Sequence, residues 1–350
     1  ASLLLKSFAA LSTMDPGFQN EGLVTLRLEL PEEEYEEESQ RVVFFDQLLD
    51  GVQGALPPQL GSVTLASGMV TNLEAAVTPL IPELVPAADQ EDVVFYTRGV
   101  APGYFETVGQ SLLQGRDFTA VDVLGNEDVA IINQAVVDRF FQDTNPVGQR
   151  FDLRHDSYRV VGVVESVHLP GLAQSRFGDW WLYFPYRQTP ERGITIIARL
   201  GGDGGAGVNR AAGVDLAKEA VWAIDPSLAI QRVAVVDDLL AESLDEQRSN
   251  ALLMALFALT ALTLGAVGIY GVVAYSVSQR IREIGIRLAL GASSGGVVLK
   301  MVLGGMKAVV VGVAVGLAGA WLLATHLTTL LHQVSPRDPL VLGAVTAGIL

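Results

Sequence analysis

Two glycine-rich motifs are the first features of the sequence that resemble sites of chemistry. Residues 202–207 fit the G-x-G-x-x-G spacing of a loop that holds a pyrophosphate at a helix N-terminus. Residues 291–295 fit the G-x-S-x-G spacing of a nucleophile elbow. No strand ending in an acid follows the first motif, so we predict a flexible loop. No strand precedes the second, and the later histidines lie beyond the next apolar run, so we predict no catalytic serine.

Other common chemistries lack their residues. The chain has no cysteine, which excludes disulfides, thiolate zinc sites and a cysteine nucleophile. Its four histidines lack metal-ligand spacing, and no G-x-x-x-x-G-K-[ST] motif supplies a P-loop for ATP. The net charge of −16 disfavours nucleic acid as a partner. We predict no catalytic residue, cofactor or metal, and therefore a protein that is not itself an enzyme.

The most informative segment is the basic stretch 279–292, QRIREIGIRLALGA. Ile281, Ile284 and Leu288 fall on one face of a helix, Arg280 and Arg287 project elsewhere, and Gly291 can end the helix. Two interpretations stay open for such a short amphipathic helix. It lies at a membrane surface with its arginines on lipid phosphates, or it docks into a groove of a partner.

Long charge-free runs surround this basic segment. Residues 251–279 and 308–336 each carry no charge over 29 positions, and about 20 residues suffice to cross a hydrocarbon core. A further run from 340 is too short to cross and is predicted to be the start of another helix. Residues 280–307 hold five basic residues and one acidic residue, which predicts a cytoplasmic loop. Residues 1–248 then lie on the opposite side of the membrane.

The two parts of the chain differ in charge and pattern. Residues 249–350 hold six basic and two acidic residues, whereas residues 1–248 hold 17 basic and 37 acidic ones. The sequence of the first part predicts strands at 22–30, 128–133, 158–167, 180–185, 194–200 and 230–236. It predicts helices opening at Pro31 and spanning about 135–141 and 208–224. This interleaving indicates a mixed α+β domain, followed by α-helical membrane segments.

The basic segment resembles the cytoplasmic loop of MacB-like and FtsX-like ABC transporter permeases, in which R-E-I-G-I-R-x-A-L-G-A is close to a signature. Further matching motifs follow in the family's order: DPGF at 15–18, YF at 104–105, GRDF at 115–118, IIN at 131–133, NPVG at 145–148, VVGVV at 160–164, VGIYG at 267–271 and SPRDP at 335–339. The resemblance covers essentially the whole chain and is closest to the second half of the duplicated orphan permeases.

This resemblance implies a domain plan with four transmembrane helices, one before a periplasmic core domain and three after it. Residues 1–14 would be the end of the first helix, 15–245 the periplasmic core domain, and 246–350 the permease domain. The permease domain would have spans at about 251–278 and 302–324, the start of a third from 340, and a cytoplasmic loop at 280–300. The protein would be a multi-pass protein of the cell (inner) membrane, with its large domain in the periplasm.

The resemblance also implies a coupling helix that seats in a separate cytoplasmic ABC ATPase. Its residues here would be Arg280, Arg282, Glu283, Ile284, Gly285, Ile286, Arg287, Gly291 and Ala292. We expect the arginines to supply charge complementarity, Glu283 an internal ion pair, and Ile284 and Ile286 apolar contact. Membrane lipids and a periplasmic adaptor or substrate are the other expected partners.

Three functions are compatible with these patterns. The favoured one is a permease of the mechanotransmission type, which couples ATP hydrolysis to movement of the periplasmic domain for export or signalling. The second is a membrane-anchored sensor or scaffold that works without ATP. The third is a membrane-bound hydrolase with an unrecognised carboxylate pair.

Overall fold

The computed structural model describes residues 16–56, 61–68, 95–141, 144–153, 156–168, 179–200 and 210–290, together with 295, 296, 312, 316 and 319. The chain divides into two compact units. The core unit is Met14–Leu244, and the helical unit comprises Ala1–Thr13 and Asp245–Leu350.

The described residues of the core unit include ten strands. They are β1 Leu23–Glu29, β2 Gly61–Ala66, β3 Tyr96–Val100, β4 Leu112–Gly115, β5 Val129–Asn133, β6 Arg150–Leu153, β7 Asp156–Val164, β8 Trp181–Pro185, β9 Gly193–Leu200 and β10 Ile230–Val235. They form one mixed sheet in the order β10-β1-β9-β2-β3-β8-β5-β7-β4, and β6 pairs with β7. The pairs β3–β8 and β5–β7 are parallel, and the others are antiparallel. Strands and helices interleave along the chain, as the sequence predicts.

Burial of both faces explains the continuous apolar strands. All five residues of β5 are buried: Val129 and Ile131 belong to one apolar cluster and Ala130 and Ile132 to another, so both faces of the strand are covered. An uninterrupted apolar run is the pattern expected for such a strand. The sequence predicts β5 correctly for this reason.

The first strand is more buried than its alternating pattern predicts. Thr25 falls on the face expected to be exposed, yet it is 1% exposed. β1 lies between β9 and β10, and the Thr25 hydroxyl donates to the carbonyl of Ala234 at 3.2 Å. A hydroxyl can be buried at little cost when it has such a partner.

Where the structure describes the core unit, it has four helical segments and the start of a fifth. These are α1 Glu38–Ala55, α2 Tyr104–Val108, α3 Gln134–Val136, which continues as a π-helical turn Val137–Phe141, and α4 Arg210–Ile224. Helix α5, Val236–Gln279, begins in the core unit. Helix α1 packs on α4 over a cluster that includes Phe45, Leu48 and Val221.

The predicted helix start at Pro31 is wrong. Residues 32–34 form a turn, and α1 begins only at Glu38. The buried guanidinium of Arg41 donates to the carbonyls of Tyr35 at 2.9 Å and Glu36 at 2.8 Å. It also donates to the carbonyl of Pro190 at 2.9 Å. The carbonyls of residues 35 and 36 therefore bind a side chain instead of helix amides.

The helical unit contains the rest of α5 and the short α6, Ile281–Ala289. In the part of the chain that the structure describes, Leu252–Gln279 is one helix long and apolar enough to cross a membrane. Thr260 and Thr263 donate their hydroxyls to the carbonyls of Leu256 and Leu259, each at 2.8 Å. These bonds satisfy the hydroxyls without water, as an apolar environment requires. The predicted spans at 302–324 and from 340 lie outside the described ranges, apart from three isolated helical glycines within the first.

Candidate coupling site

The basic segment forms a helix directly after the apolar part of α5. Arg280 occupies the turn between α5 and α6, and its amide donates to the carbonyl of Val277 at 3.0 Å. The carbonyl of Arg280 accepts from Ile284 at 2.9 Å, which opens α6. The amide of Leu290 donates to the carbonyl of Ile286 at 3.0 Å at the other end. The helix therefore begins one residue after Arg280 and ends at Ala289, and Leu290 occupies the turn that follows.

The side chains of α6 present two different faces. With 100° per residue, Ile281 and Ile284 share one side, as the sequence predicts. Arg282 and Ile286 are spaced i, i+4 and share another, and Leu290, the turn residue after α6 whose amide donates to Ile286, continues that row. We call these three residues the outer stripe. One cation is thus aligned with two apolar side chains on a single helix face.

Each face carries an exposed apolar side chain. Ile281 is 62% exposed, Ile286 56% and Leu290 82%. Ile284 is half-buried, and Arg282, Glu283 and Gly285 are exposed. Apolar side chains presented together on both sides of a nine-residue helix are typical of an element that membrane and protein partners cover.

Gly285 has space around it in the described structure. A Cβ atom at this position meets no described heavy atom within 4 Å, and the backbone is helical. Neither a left-handed conformation nor a close neighbour therefore requires glycine here. Close approach by a partner would explain a residue that otherwise weakens the helix by about 1 kcal/mol relative to alanine.

The structure places the predicted coupling residues as follows. Arg282, Glu283, Ile284, Gly285, Ile286 and Arg287 lie on α6, and Arg280 precedes it. Gly291 and Ala292 lie outside the described residues, as do the motif at 202–207 and the serine of the motif at 291–295. Leu290 was missed by the sequence argument, although its i+4 spacing from Ile286 could have identified it.

The charged clusters of the core unit hold loops in place. Burial raises the pKa of Asp117, whose carboxylate accepts from the amides of Gly103 at 3.0 Å and Phe118 at 2.7 Å. His168 lies 3.0 Å from Asp179 through Nδ1. Among the described residues, no group of three or more histidine, aspartate or glutamate side chains is arranged to hold a metal ion.

Two protein families match the chain. Residues 29–212, more than half of the chain, match the MacB-like periplasmic core domain. Residues 255–349 match the FtsX-like permease C-terminal domain, and α6 lies within that range.

Curated relatives agree with these matches. The macrolide export ATP-binding/permease protein MacB of Sodalis glossinidius is 31% identical over 237 residues, which are 64% of this chain and 34% of that protein. The MacB protein of Neisseria gonorrhoeae is 27% identical over 263 residues, 71% of this chain and 38% of that protein. The chain thus spans about a third of the length of these relatives.

A solved structure of the same kind is also similar. The periplasmic region of MacB from Actinobacillus actinomycetemcomitans is 17% identical, with a TM-score of 0.38, and the match covers 65% of this chain and 95% of that one. The family matches, the mixed sheet and the apolar helix followed by a basic one are consistent with one another. The chain belongs to the ABC transporter permeases of the MacB/FtsX type, with a MacB-like periplasmic core domain and an FtsX-like permease C-terminal domain.

Proposed function

We propose that this chain is the permease subunit of an ABC-type transporter of the mechanotransmission kind. ATP hydrolysis by a separate cytoplasmic ATPase moves the membrane helices and, through them, the periplasmic domain. The output is export or signalling on the far side of the membrane. The observation that carries the proposal is the exposed, two-faced helix α6, which follows a membrane-length helix and lies within the residues that match the FtsX-like permease domain.

The two faces of α6 suit two neighbours. Ile281 and Ile284 form an apolar side suited to lipid or to membrane helices, so we propose that Ile286, and not Ile284, makes the apolar contact with the ATPase that the sequence led us to expect of both. The outer stripe combines the guanidinium of Arg282 with the exposed Ile286 and Leu290. A short helix with this composition fits a groove whose floor is apolar and whose rim is acidic. We therefore assign the outer stripe to the ATPase, and the remaining arginines to the ATPase rim and lipid phosphates.

A further part of the proposal is which polypeptide binds ATP. The names of the curated relatives combine ATP binding with a permease. A separate ATPase subunit is the arrangement we propose. The acidic core unit would meet an adaptor or substrate in the periplasm.

The test is the double variant Arg282→Glu with Arg287→Glu in the full-length protein with its ATPase. We expect permease-dependent ATPase turnover to fall by roughly tenfold or more, because two attractive charge contacts become repulsive. The matched control is Arg150→Glu with Arg192→Glu, two arginines of the core unit that form surface ion pairs. Turnover unchanged in the first variant would refute the assignment. A sensor or scaffold without ATP coupling would then be the better description.

A further inference from the structure

The residues that precede β1 are held firmly to the core unit. We call residues 16–22 the approach segment. Arg199 donates to the carbonyls of Gln19 at 2.7 Å and Glu21 at 2.8 Å, and also to that of Thr107 at 2.8 Å. The amide of Gln19 donates to the carbonyl of Val108 at 3.0 Å. One guanidinium on β9 therefore ties the approach segment to β9 and to the end of α2.

The approach segment also contacts the beginning of α5. The side-chain amide of Asn20 donates to Oδ1 of Asp237 at 2.6 Å. Asp237 lies in the first turn of α5, where a carboxylate interacts favourably with the helix dipole. The two residues are 217 positions apart in sequence, and both are partly buried. A hydrogen bond to an ionised acceptor is roughly twice as strong as a neutral one.

Apolar contacts accompany this hydrogen bond. Phe18 of the approach segment and Val236 of α5 belong to the same buried cluster, against which Leu240 also packs. Immediately beyond, β1 pairs with β10 at Val24 and Val235. The approach segment before β1 and the start of α5 after β10 are thus packed side by side within the core unit.

We propose that Asn20 and Asp237 form a latch that makes the approach segment and the first turn of α5 move as one body. This inference rests on the proposed function, in which movement reaches the core unit along its connections to the membrane. A displacement of Asp237 is delivered through Asn20 to the approach segment. Arg199 then passes the displacement to β9 and α2. The approach segment and the first turn of α5 therefore move the sheet together. Asn20 and Asp237 are positioning residues and touch no substrate.

The test uses the full-length protein with its ATPase, with and without ATP and vanadate, followed by hydrogen-exchange mass spectrometry. The variants are Asn20→Asp, which opposes two carboxylates, and Asn20→Asp with Asp237→Asn, which restores the bond with donor and acceptor exchanged. The control is Asn126→Asp, because Asn126 donates a 2.7 Å bond to Val121 in an exposed loop away from the latch. Because these 350 residues contain no cysteine, Asn20→Cys with Asp237→Cys introduces one thiol pair here, and its oxidation to a disulfide is verified by mass before use.

In the wild type, we expect nucleotide to change exchange in residues 16–29, 236–244 and 281–289. In Asn20→Asp, the effect of nucleotide on the hydrogen-exchange rate of residues 16–29 should be roughly tenfold smaller than in the wild type, as expected for loss of a charged hydrogen bond. The effect of nucleotide on residues 281–289 should be the same as in the wild type. The double variant Asn20→Asp with Asp237→Asn and the oxidised disulfide should both retain the nucleotide response of residues 16–29. A full response in Asn20→Asp, or loss of the response on disulfide formation, would overturn the latch alone. A wild type without nucleotide response in 281–289 would overturn the proposed function and the latch with it.

Discussion

At the scale of single residues, a bidentate ion pair between Arg116 and Asp122 fixes the loop after β4 in the core unit. The guanidinium of Arg116 donates two bonds to Asp122, at 2.8 and 2.9 Å. Asp122 also accepts from the amide and hydroxyl of Thr119, at 2.7 and 3.0 Å. Burial opposes ionisation of Asp122, but these bonds outweigh it, and its pKa lies below its ordinary value. The loop after β4 therefore depends on a carboxylate that is stabilised in its charged form.

We expect Asp122→Asn to lower the free energy of unfolding of the core unit by about 2 kcal/mol, because a bidentate charged pair and a loop contact are lost. Denaturant unfolding of the purified protein would measure this. The control is Glu127→Gln, since the pairs of Glu127 with Arg150 and Arg159 are exposed and should contribute about 1 kcal/mol or less. An equal loss in the two variants would contradict the role of Asp122.

The same pair predicts a pH dependence. A carboxylate whose pKa is lower in the folded state contributes stability above its unfolded pKa, which is about 3.9 for aspartate. That contribution is lost as pH falls through the folded pKa. The stability difference between wild type and Asp122→Asn should thus stay constant from pH 8 to about pH 5 and shrink below about pH 4. A difference that grows on acidification would contradict the lowered pKa.

Gly285 tests whether a partner approaches α6 closely. Alanine there should strengthen the isolated helix by about 1 kcal/mol. We nevertheless expect Gly285→Ala to reduce ATPase stimulation and Gly285→Leu to abolish it, because added side chains would keep the partner away. Turnover titrated with the ATPase gives the apparent affinity, which should weaken in the order Gly, Ala, Leu. Improved coupling in Gly285→Ala would show that only helix stability matters.

At the scale of elements, Arg41 determines where α1 begins. Its guanidinium donates hydrogen bonds to the carbonyls of residues 35, 36 and 190. The ammonium group of a lysine cannot reproduce this planar set of donors. We expect Arg41→Lys to lower the free energy of unfolding by about 2 kcal/mol, or several degrees in Tm. Calorimetry would measure it. The control, Arg192→Lys, alters the exposed pair with Glu32 and should change Tm little. Equal Tm values for Arg41→Lys and wild type would refute this role.

The elements that the sequence predicts are those whose periodicity is strong and local. Strand β5 and helices α4 and α5 have apolar patterns long enough to decide their type. Strand β3 was missed, because its buried Arg98 interrupts the apolar pattern and lies 4.6 Å from the ring of Trp181. Helix α2 was missed because it has only five residues between two glycines in the left-handed conformation.

The candidate site shows the same limit. The amphipathic pattern of residues 281–288 predicts α6, because that signal is contained within a few turns. The false helix start at Pro31 arose because local preference for acids in a first turn was overridden by Arg41. The contact of Asn20 with Asp237 depends on tertiary pairing over 217 residues, and no local pattern carries it.

At the scale of the whole molecule, the family assignment predicts opposite sides of the membrane for the core unit and α6. These 350 residues contain no cysteine, so a single cysteine can be introduced here for labelling in intact cells once any cysteine elsewhere in the parent protein is replaced. The reagent is a maleimide that passes the outer membrane but not the inner membrane. We expect Ser39→Cys on the exposed surface of α1 to react with it in intact cells, and Ser293→Cys to react only after the inner membrane is permeabilised. The reverse pattern would contradict the orientation that the basic loop predicts.

The most direct test of the central claim, coupling to a separate ATPase through α6, is purification of the full-length parent protein in detergent. The co-purifying ATPase is identified, and its turnover is measured with and without the permease. We expect a P-loop ATPase whose turnover rises with the permease and loses that rise when Arg282 and Arg287 are changed to glutamate. A well-folded permease that binds no ATPase, or whose ATPase turns over independently of residues 280–292, would contradict the claim.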